Sequence, residues 1–396
     1  MNSFRHAITE DRERQAPYLL FLSKTLCVGI KTYRKLQTVF QSPEEVYNTP
    51  VQKLENTGIL TKAQLMRFYE PEVRNNIQRE YENILKENIR LICTEDRDYP
   101  QKLLQIKDTP PVVFLKGKLP SLNVPCASII GARECSVYGA NVASRLGELF
   151  ASAKVAVVSG MARGIDSIGQ SAAVMAGGYS LAVLGGGVDV IYPKESGNLY
   201  RRLEQTGGIL SEYPPKTAPQ PAYFAQRNRL ISGLSDAVCV IEAKEKSGTL
   251  ITVDCALEQG REVYALPGRI TDATSFGTNE LIRQGAGIIS DLDGFVADFL
   301  TTYSWDLPLE ANREQKVKLP YPSFLSANEK LVLENIDENS FTTDQLSVKT
   351  GIPAYELLGV CVSLCTNLLL KNVGAGRFTA TSKGIEIRNV LIAYNG

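Results

Sequence analysis

The residues best placed for chemistry in this chain are basic side chains set beside glycines. Arg133 follows Gly131-Ala132, Arg163 lies between Gly160 and Gly164, and Lys194 follows Tyr192-Pro193. A further triplet, Gly185-Gly186-Gly187, precedes Asp189. Phe224 leads into the stretch Arg227-Asn228-Arg229. Glycine lets backbone N–H groups approach a phosphate, and a following helix N-terminus adds partial positive charge. Arginine and lysine supply the counter-charge, and Phe224 and Tyr223 offer ring faces on which bases can stack. The chemistry that suits this set is gripping a flexible polyanion. Each piece also has a plainer reading. Any one glycine loop can simply be a tight turn, and Arg227 and Arg229 can be ordinary surface charges.

Carboxylates occur close to the same places: Asp166, Asp189, Glu212 and Glu242. A pair of them could hold a metal or act as acid and base. The favoured reading is structural, with Asp166 and Asp189 capping helices or orienting loops, and Glu212 and Glu242 bonding backbone N–H groups or arginines. Nucleotide-cofactor motifs are missing. Gly131-Ala132-Arg133-Glu134 stands where G-x-G-x-x-G would be, and Gly117-Lys118 is followed by Leu119 instead of Ser or Thr. The single histidine, His6, lies in a charged N-terminal stretch. That leaves none for a Ser-His-Asp triad or a histidine-based metal site in the core. No cofactor and no metal are expected, and the chain reads as a binding protein, not an enzyme.

The chain has 396 residues, 44% of them hydrophobic and 22% charged, which suits two or three globular domains. The formal net charge is zero, so a nucleic-acid site must be a local concentration of cations. The eight cysteines are scattered and mostly lie in apolar runs, which favours a reduced, cytoplasmic compartment. Cys361 and Cys365, four apart on an apolar helix, read as core packing. No signal sequence and no membrane span are expected.

The elements that position these residues fall into zones. Residues 1–90 show helical spacing of apolar positions and read as an N-terminal helical domain (SAM/HhH-like), closing with a polar helix from Pro71 to Glu87. The core, 91–305, begins with a connecting segment that holds a short strand at Leu91-Ile92-Cys93. It then alternates strands and helices. Strands are expected from Ala127 to Gly131, Val155 to Ser159, Leu181 to Leu184, Ile209 to Glu212, Ala237 to Glu242 and Glu262 to Ala265. Helices are expected from Gly139 to Ala153, Ile165 to Met175 and Ser247 to Gln259, and an apolar helix is expected just after Arg229. This alternation implies an α/β fold, an extended Rossmann-like doubly wound parallel sheet. The glycines then sit at strand carboxyl ends, where such sheets bind ligands, and the guanidinium groups of Arg133, Arg227 and Arg229 should share one crevice.

A polar linker, 306–322, leads to a third zone, 323–396. There Ser326 N-caps a helix to Ile336, a second helix begins at Thr342 and ends at Gly351, and a third runs from Ala354 to Leu369. A hairpin from Leu370 to Thr381 completes a winged-helix pattern of roughly 60 to 70 residues. Few basic residues lie in the third helix, so protein interaction is at least as plausible there as DNA contact.

The motif order resembles one family. Ile129-Ile130-Gly131-Ala132-Arg133, Ser159-Gly160-Met161-Ala162-Arg163-Gly164-Ile165-Asp166 and Gly187-Val188-Asp189-Val190-Ile191-Tyr192-Pro193-Lys194 are similar to successive signatures of DprA/Smf DNA-processing proteins. So are Ser211-Glu212-Tyr213-Pro214-Pro215, Gln226-Arg227-Asn228-Arg229, Lys246-Ser247-Gly248-Thr249-Leu250 and Leu281-Ile282-Arg283-Gln284-Gly285-Ala286. The resemblance implies single-stranded DNA binding, a homodimer with Thr278 to Ile289 near its contact, and a RecA-type recombinase as partner. It implies a mediator that protects incoming single strands and loads the recombinase during natural transformation. It assigns DNA contacts to Gly131, Arg133, Ser159, Gly160, Arg163, Lys194, Phe224, Arg227, Asn228, Arg229, Ser247 and Gly248. This chain departs from the family pattern at Ala132 (usually Ser or Thr), Gln170 (commonly His) and Ser196 (commonly Asn). The alternative class is a nucleotide-processing enzyme of phosphoribohydrolase type on a related sheet, suggested by Gly185 to Asp189 and the carboxylates.

Overall fold

The computed structural model describes residues 3–26, 30–121, 123–303, 325–336, 340–367, 369–374, 376–381, 384–385, 387–388 and 391–392. The chain forms two compact units, Met1–Asp306 and Leu307–Gly396. The expected linker at 306–322 lies outside the described residues.

The first unit opens with helices α1 (Ser3–Glu10), α2 (Arg12–Leu26), α3 (Ile30–Val39), α4 (Pro43–Asn48), α5 (Val51–Asn56), α6 (Lys62–Phe68), α7 (Pro71–Arg74) and α8 (Ile77–Lys86). The single polar helix expected from Pro71 is instead two, broken at Asn75-Asn76. Asparagine bonds to nearby backbone and favours such breaks. Strands β1 (Arg90–Cys93) and β2 (Val112–Gly117) follow as an antiparallel pair. Leu19, Phe21, Tyr33 and Phe68 of the helices join Cys93, Phe114 and Ile209 in one apolar cluster, so this unit contains both the helical region and the sheet.

The core then alternates regularly. β3 (Cys126–Ile130), α9 (Val137–Ser152), β4 (Ala156–Ser159), α10 (Ile165–Met175), β5 (Ser180–Val183), α11 (Gly197–Thr206) and β6 (Gly208–Ser211) make up its first half. α12 (Pro221–Leu234), β7 (Ala237–Val240), α13 (Gly248–Glu258), β8 (Glu262–Ala265), α14 (Phe276–Arg283), β9 (Gly287–Ile288) and α15 (Leu292–Tyr303) make up the second. The sheet order is β1-β2-β6-β5-β4-β3-β7-β8-β9. β3 to β9 are mutually parallel, while β2 joins β6 antiparallel. The expected strands appear within a residue or two of their places. β9 was not expected, since two residues are too few for a periodic signal.

Both sheet faces are covered, which explains why the strands read as unbroken apolar runs. Side chains alternate between faces along a strand. Ala127 and Ile129 of β3 and Ala237 and Cys239 of β7 pack toward α9, α10 and α15. Cys126, Ile130, Val238 and Val240 pack on the other face toward α12, α13 and α14. The apolar helix expected after Arg229 begins instead at Pro221, so Phe224 to Arg229 are helical. Proline at the first helical position is pre-set for helix, and Ala, Gln and Arg continue it.

The second unit contains α16 (Ala327–Glu334), β10 (Phe341–Thr342), α17 (Thr343–Thr350), α18 (Ala354–Thr366), β11 (Leu370–Gly374) and β12 (Arg377–Ala380). Its three strands pair antiparallel in the order β10-β12-β11. Ser326 and Thr342 both form capping boxes, with Glu329 and Gln345 respectively, and Gly351 closes α17 in the left-handed region. Leu333, Leu346, Leu357, Cys361 and Phe378 form its core. Among the described residues no single helix is long and apolar enough to cross a membrane.

Candidate nucleic-acid interface

The sheet reverses its winding at β3. The chain leaves β3 toward β4 on one side and returns to place β7 on the other. The helices that follow β3 and β7 go to opposite faces of the sheet. A crevice must therefore open at the carboxyl ends of these two strands. A cleft of about 680 Å³ lies there. Gly131 and Arg133 line it from the β3–α9 loop, Phe224, Arg227 and Asn228 from α12, and Lys244, Lys246, Ser247 and Gly248 from the β7–α13 loop.

Two features make the cleft attractive to an anion. Arg133, Lys244 and Lys246 are exposed and form no ion pair among the described residues. The N-terminus of α13 opens into the cleft, with Ser247 as its cap, accepting from the Thr249 N–H at 3.2 Å. Beyond its chain neighbours and its own helical turn, nothing lies within 4 Å of the place a Cβ on Gly248 would take, so the first turn of α13 is accessible. Thr249 Oγ1 donates to the Gly131 carbonyl at 3.1 Å and ties the two loops together. An aromatic platform completes the wall. Tyr192 stacks on Phe224 with centroids 5.3 Å apart and planes at 29°. The guanidinium carbons of Arg133 and Arg227 lie 5.8 and 5.9 Å from the same Phe224 centroid.

Arg227 is the buried support of this wall. It is only 5% exposed. One terminal nitrogen donates to the carbonyls of Gly160, at 3.0 Å, and Val183, while Nε donates to Asn228 Oδ1 at 3.2 Å. Burial pulls its pKa down to about 10; Asp166 opposes that shift and Arg133 adds to it. Asp166, itself buried, accepts from the Gly160 N–H at 3.1 Å; burial raises its pKa and Arg227 holds the rise back.

The twelve residues assigned by resemblance therefore separate. Gly131, Arg133, Phe224, Arg227, Asn228, Ser247 and Gly248 line the cleft. Ser159 is fully buried and donates to the Ile129 carbonyl at 2.7 Å, and Gly160 sits beneath Arg227. Arg163 is exposed and pairs with Glu195 at 2.5 Å, next to the exposed Lys194, outside the cleft lining. Arg229 pairs with Glu212 at 2.6 Å, also outside the lining. So Arg133 and Arg227 share a ring, and Arg229 does not join them. The reason is helical: residues two apart lie about 200° apart around the axis, so Arg227 and Arg229 leave α12 on opposite sides.

The glycine loops also differ from a row of open phosphate sites. A Cβ on Gly160 would fall 2.7 Å from the Arg227 guanidinium, and one on Gly185 would fall 2.7 Å from the Phe224 ring. Both spaces are filled by α12. The four carboxylates are engaged as well. Glu242 accepts from Ser136 N–H at 2.9 Å and its hydroxyl at 2.5 Å, Asp189 accepts from Lys216 N–H at 2.8 Å, and Glu212 holds Arg229. Gln170 accepts from Met161 N–H at 2.9 Å and donates to Ser180 Oγ at 3.0 Å, so it fixes the β4–α10 loop. Sequence reasoning missed Lys244 and Lys246 as cleft residues. The signal was present, since basic residues beside Ser247-Gly248 at a strand end repeat the pattern used for Arg133.

Comparison with known proteins shows what the chain is similar to. A family profile described as DNA recombination-mediator protein A matches residues 90–300. Protein Smf of Escherichia coli K12 is 35% identical over 311 residues, covering 77% of this chain and 80% of that protein. DNA processing protein DprA of Streptococcus pneumoniae R6 is 40% identical over 204 residues, 52% of this chain and 72% of that protein. The X-ray structure of DNA processing protein A from Streptococcus pneumoniae is similar at TM-score 0.59 and 32% identity, covering 68% of this chain and 92% of that one. A Helicobacter pylori DNA processing protein A structure, described for its unique single-stranded DNA binding mode, is similar at TM-score 0.50 and 29% identity, covering 54% of this chain and 97% of that one. A doubly wound core with its cationic cleft at the winding reversal, and matches of this extent, place the chain in one group: it belongs to the DNA recombination-mediator protein A (DprA/Smf) family.

Proposed function

We propose that this chain binds single-stranded DNA in the cleft at the carboxyl ends of β3 and β7, protects it, and loads a RecA-type recombinase during natural transformation. The observation that carries the reading is the combination, on one wall, of unpaired cations, an open helix N-terminus and the Tyr192–Phe224 stack. Cations and helix dipole attract phosphate, while a ring face can stack on a base freed from a duplex. Arg133, Lys244, Lys246 and Asn228 contact the sugar-phosphate chain, and Phe224 stacks on a base. Arg227 shapes the wall from beneath. The reading is one of binding, supported by carboxylates that are each engaged in holding loops or arginines.

The proposed assembly is a homodimer through the α14–β9 region. β9 is an edge strand, and its Ile288 and the Phe276 that begins α14 are 53% and 51% exposed. The proposed domain arrangement keeps an N-terminal helical region before the core, and a winged-helix reading for the three helices and three strands of the second unit. The proposed compartment is the cytoplasm, which suits the unpaired thiols of the described cysteines.

Fluorescence anisotropy with oligo-dT over a salt series tests the central claim. Arg133→Ala and Lys246→Ala should each weaken binding and flatten the log–log salt slope by about 0.7. Binding that is absent, or indifferent to salt, would remove the electrostatic basis of the reading.

A further inference from the structure

We infer that the stacked pair Tyr213–Tyr223 is a second nucleobase-stacking site, which carries the strand beyond the cleft. This rests on the single-stranded DNA reading. The two rings lie with centroids 4.2 Å apart and planes at 26°, and the Tyr213 hydroxyl donates to Gln226 Oε1 at 2.8 Å. Both tyrosines are half-buried.

Two observations separate this pair from ordinary packing. Neither ring belongs to any of the four apolar clusters, nor do Tyr192 and Phe224. Stacked rings that build no core are a surface platform, and such rings bind bases whatever their sequence. The second observation is position. Tyr223 precedes Phe224 in the first turns of α12, so the two side chains leave the helix about 100° apart and within one turn. One stacked pair therefore stands on the cleft side of the α12 N-terminus and the other round the helix from it.

Arg133 accompanies Phe224 in the cleft, and Lys216 is exposed three residues beyond Tyr213. The Lys216 N–H donates to both Asp189 oxygens, at 2.8 and 3.0 Å, which anchors that loop against the Gly187 turn. A strand leaving the cleft over α12 thus meets a second ring pair; Lys216 itself lines a groove with Glu80 and Glu87, so the rings carry the proposed contact.

The test is an anisotropy titration of the full chain with oligo-dT of graded length, comparing wild type with Tyr213→Ala/Tyr223→Ala. Short oligomers that fill only the cleft should bind both proteins equally. Long oligomers should bind the double variant more weakly, by roughly fivefold to a hundredfold, the range expected for one lost base–aromatic stack. The Tyr213→Phe/Tyr223→Phe protein should bind like wild type. A second measurement leaves the protein untouched: abasic positions outside the cleft should weaken wild-type binding and leave the double variant indifferent. Equal affinity of wild type and the alanine variant at every length overturns the site, as does an equal abasic penalty in both. Weakening at all lengths, short ones included, overturns it too, because the pair would then be shaping the cleft. Arg133→Ala separates the two levels: if it still weakens binding when the tyrosine variants do not, the cleft reading stands without the second platform.

Discussion

Replacing Arg227 by methionine keeps an apolar stem of similar reach and removes every donor. The native side chain gives two hydrogen bonds from one buried terminal nitrogen to the carbonyls of Gly160 and Val183. A hydrogen bond from a charged donor contributes about 1.5–3 kcal/mol. Two such bonds give about 3–6 kcal/mol, and the buried Asp166 also loses the positive charge that holds its pKa back. Natural domains have about 5–15 kcal/mol in total, so a fifth or more of the margin should go. Urea unfolding of the full chain followed by circular dichroism measures the loss. Hydrogen exchange at peptides covering 156–163 and 180–187 should locate it at the ends of β4 and β5. Arg133→Ala, which removes an exposed guanidinium, should shift stability by under about 0.5 kcal/mol while weakening DNA binding. If Arg227→Met unfolds within about 0.5 kcal/mol of wild type yet loses DNA affinity, the guanidinium is a ligand contact and the support role assigned to it is wrong.

Thiol accessibility offers a second check. Burial pushes the Cys126 thiol up to about 11 and raises Cys239 still further, whereas Cys255 is only half-buried. Alkylation of the native protein followed by peptide mapping should modify Cys255 well before Cys126 or Cys239; equal rates would contradict the packing of β3 and β7. In the second unit, Ser326→Ala should cost about 1 kcal/mol through loss of the α16 cap. Burial raises the Glu329 pKa there, but bonds from Ser363 and Ser326 outweigh it and hold the carboxyl below its ordinary value. That contribution is present above the ordinary carboxylate range and is lost as pH falls through the depressed folded-state value. Glu329→Gln should therefore flatten the acid limb of the helicity titration, and an unchanged limb would contradict the pairing.

Much of the fold was legible because its signals are local. A strand covered on both faces must be largely apolar, so β3, β4, β5 and β7 stood out as short, mostly apolar runs between amphipathic helices. Ser326 and Thr342, each followed three residues later by Glu or Gln, marked helix starts by chemistry confined to one turn. Arg133 was legible too, since a cation just past a strand end in such a sheet has the crevice in front of it.

Other features depended on where distant segments meet. Whether Gly160 and Gly185 cradle phosphate or make room for the chain itself depends on α12, some forty to seventy residues away, whose Arg227 and Phe224 fill those spaces. Arg227, Asn228 and Arg229 are consecutive in the sequence, but the 100° turn per residue sends the first into the sheet and the third to Glu212. Residue types and spacing in one dimension carry the chemistry and the strand pattern. Orientation around a helix and the filling of a gap by a remote side chain are three-dimensional facts, and only the folded chain decided them.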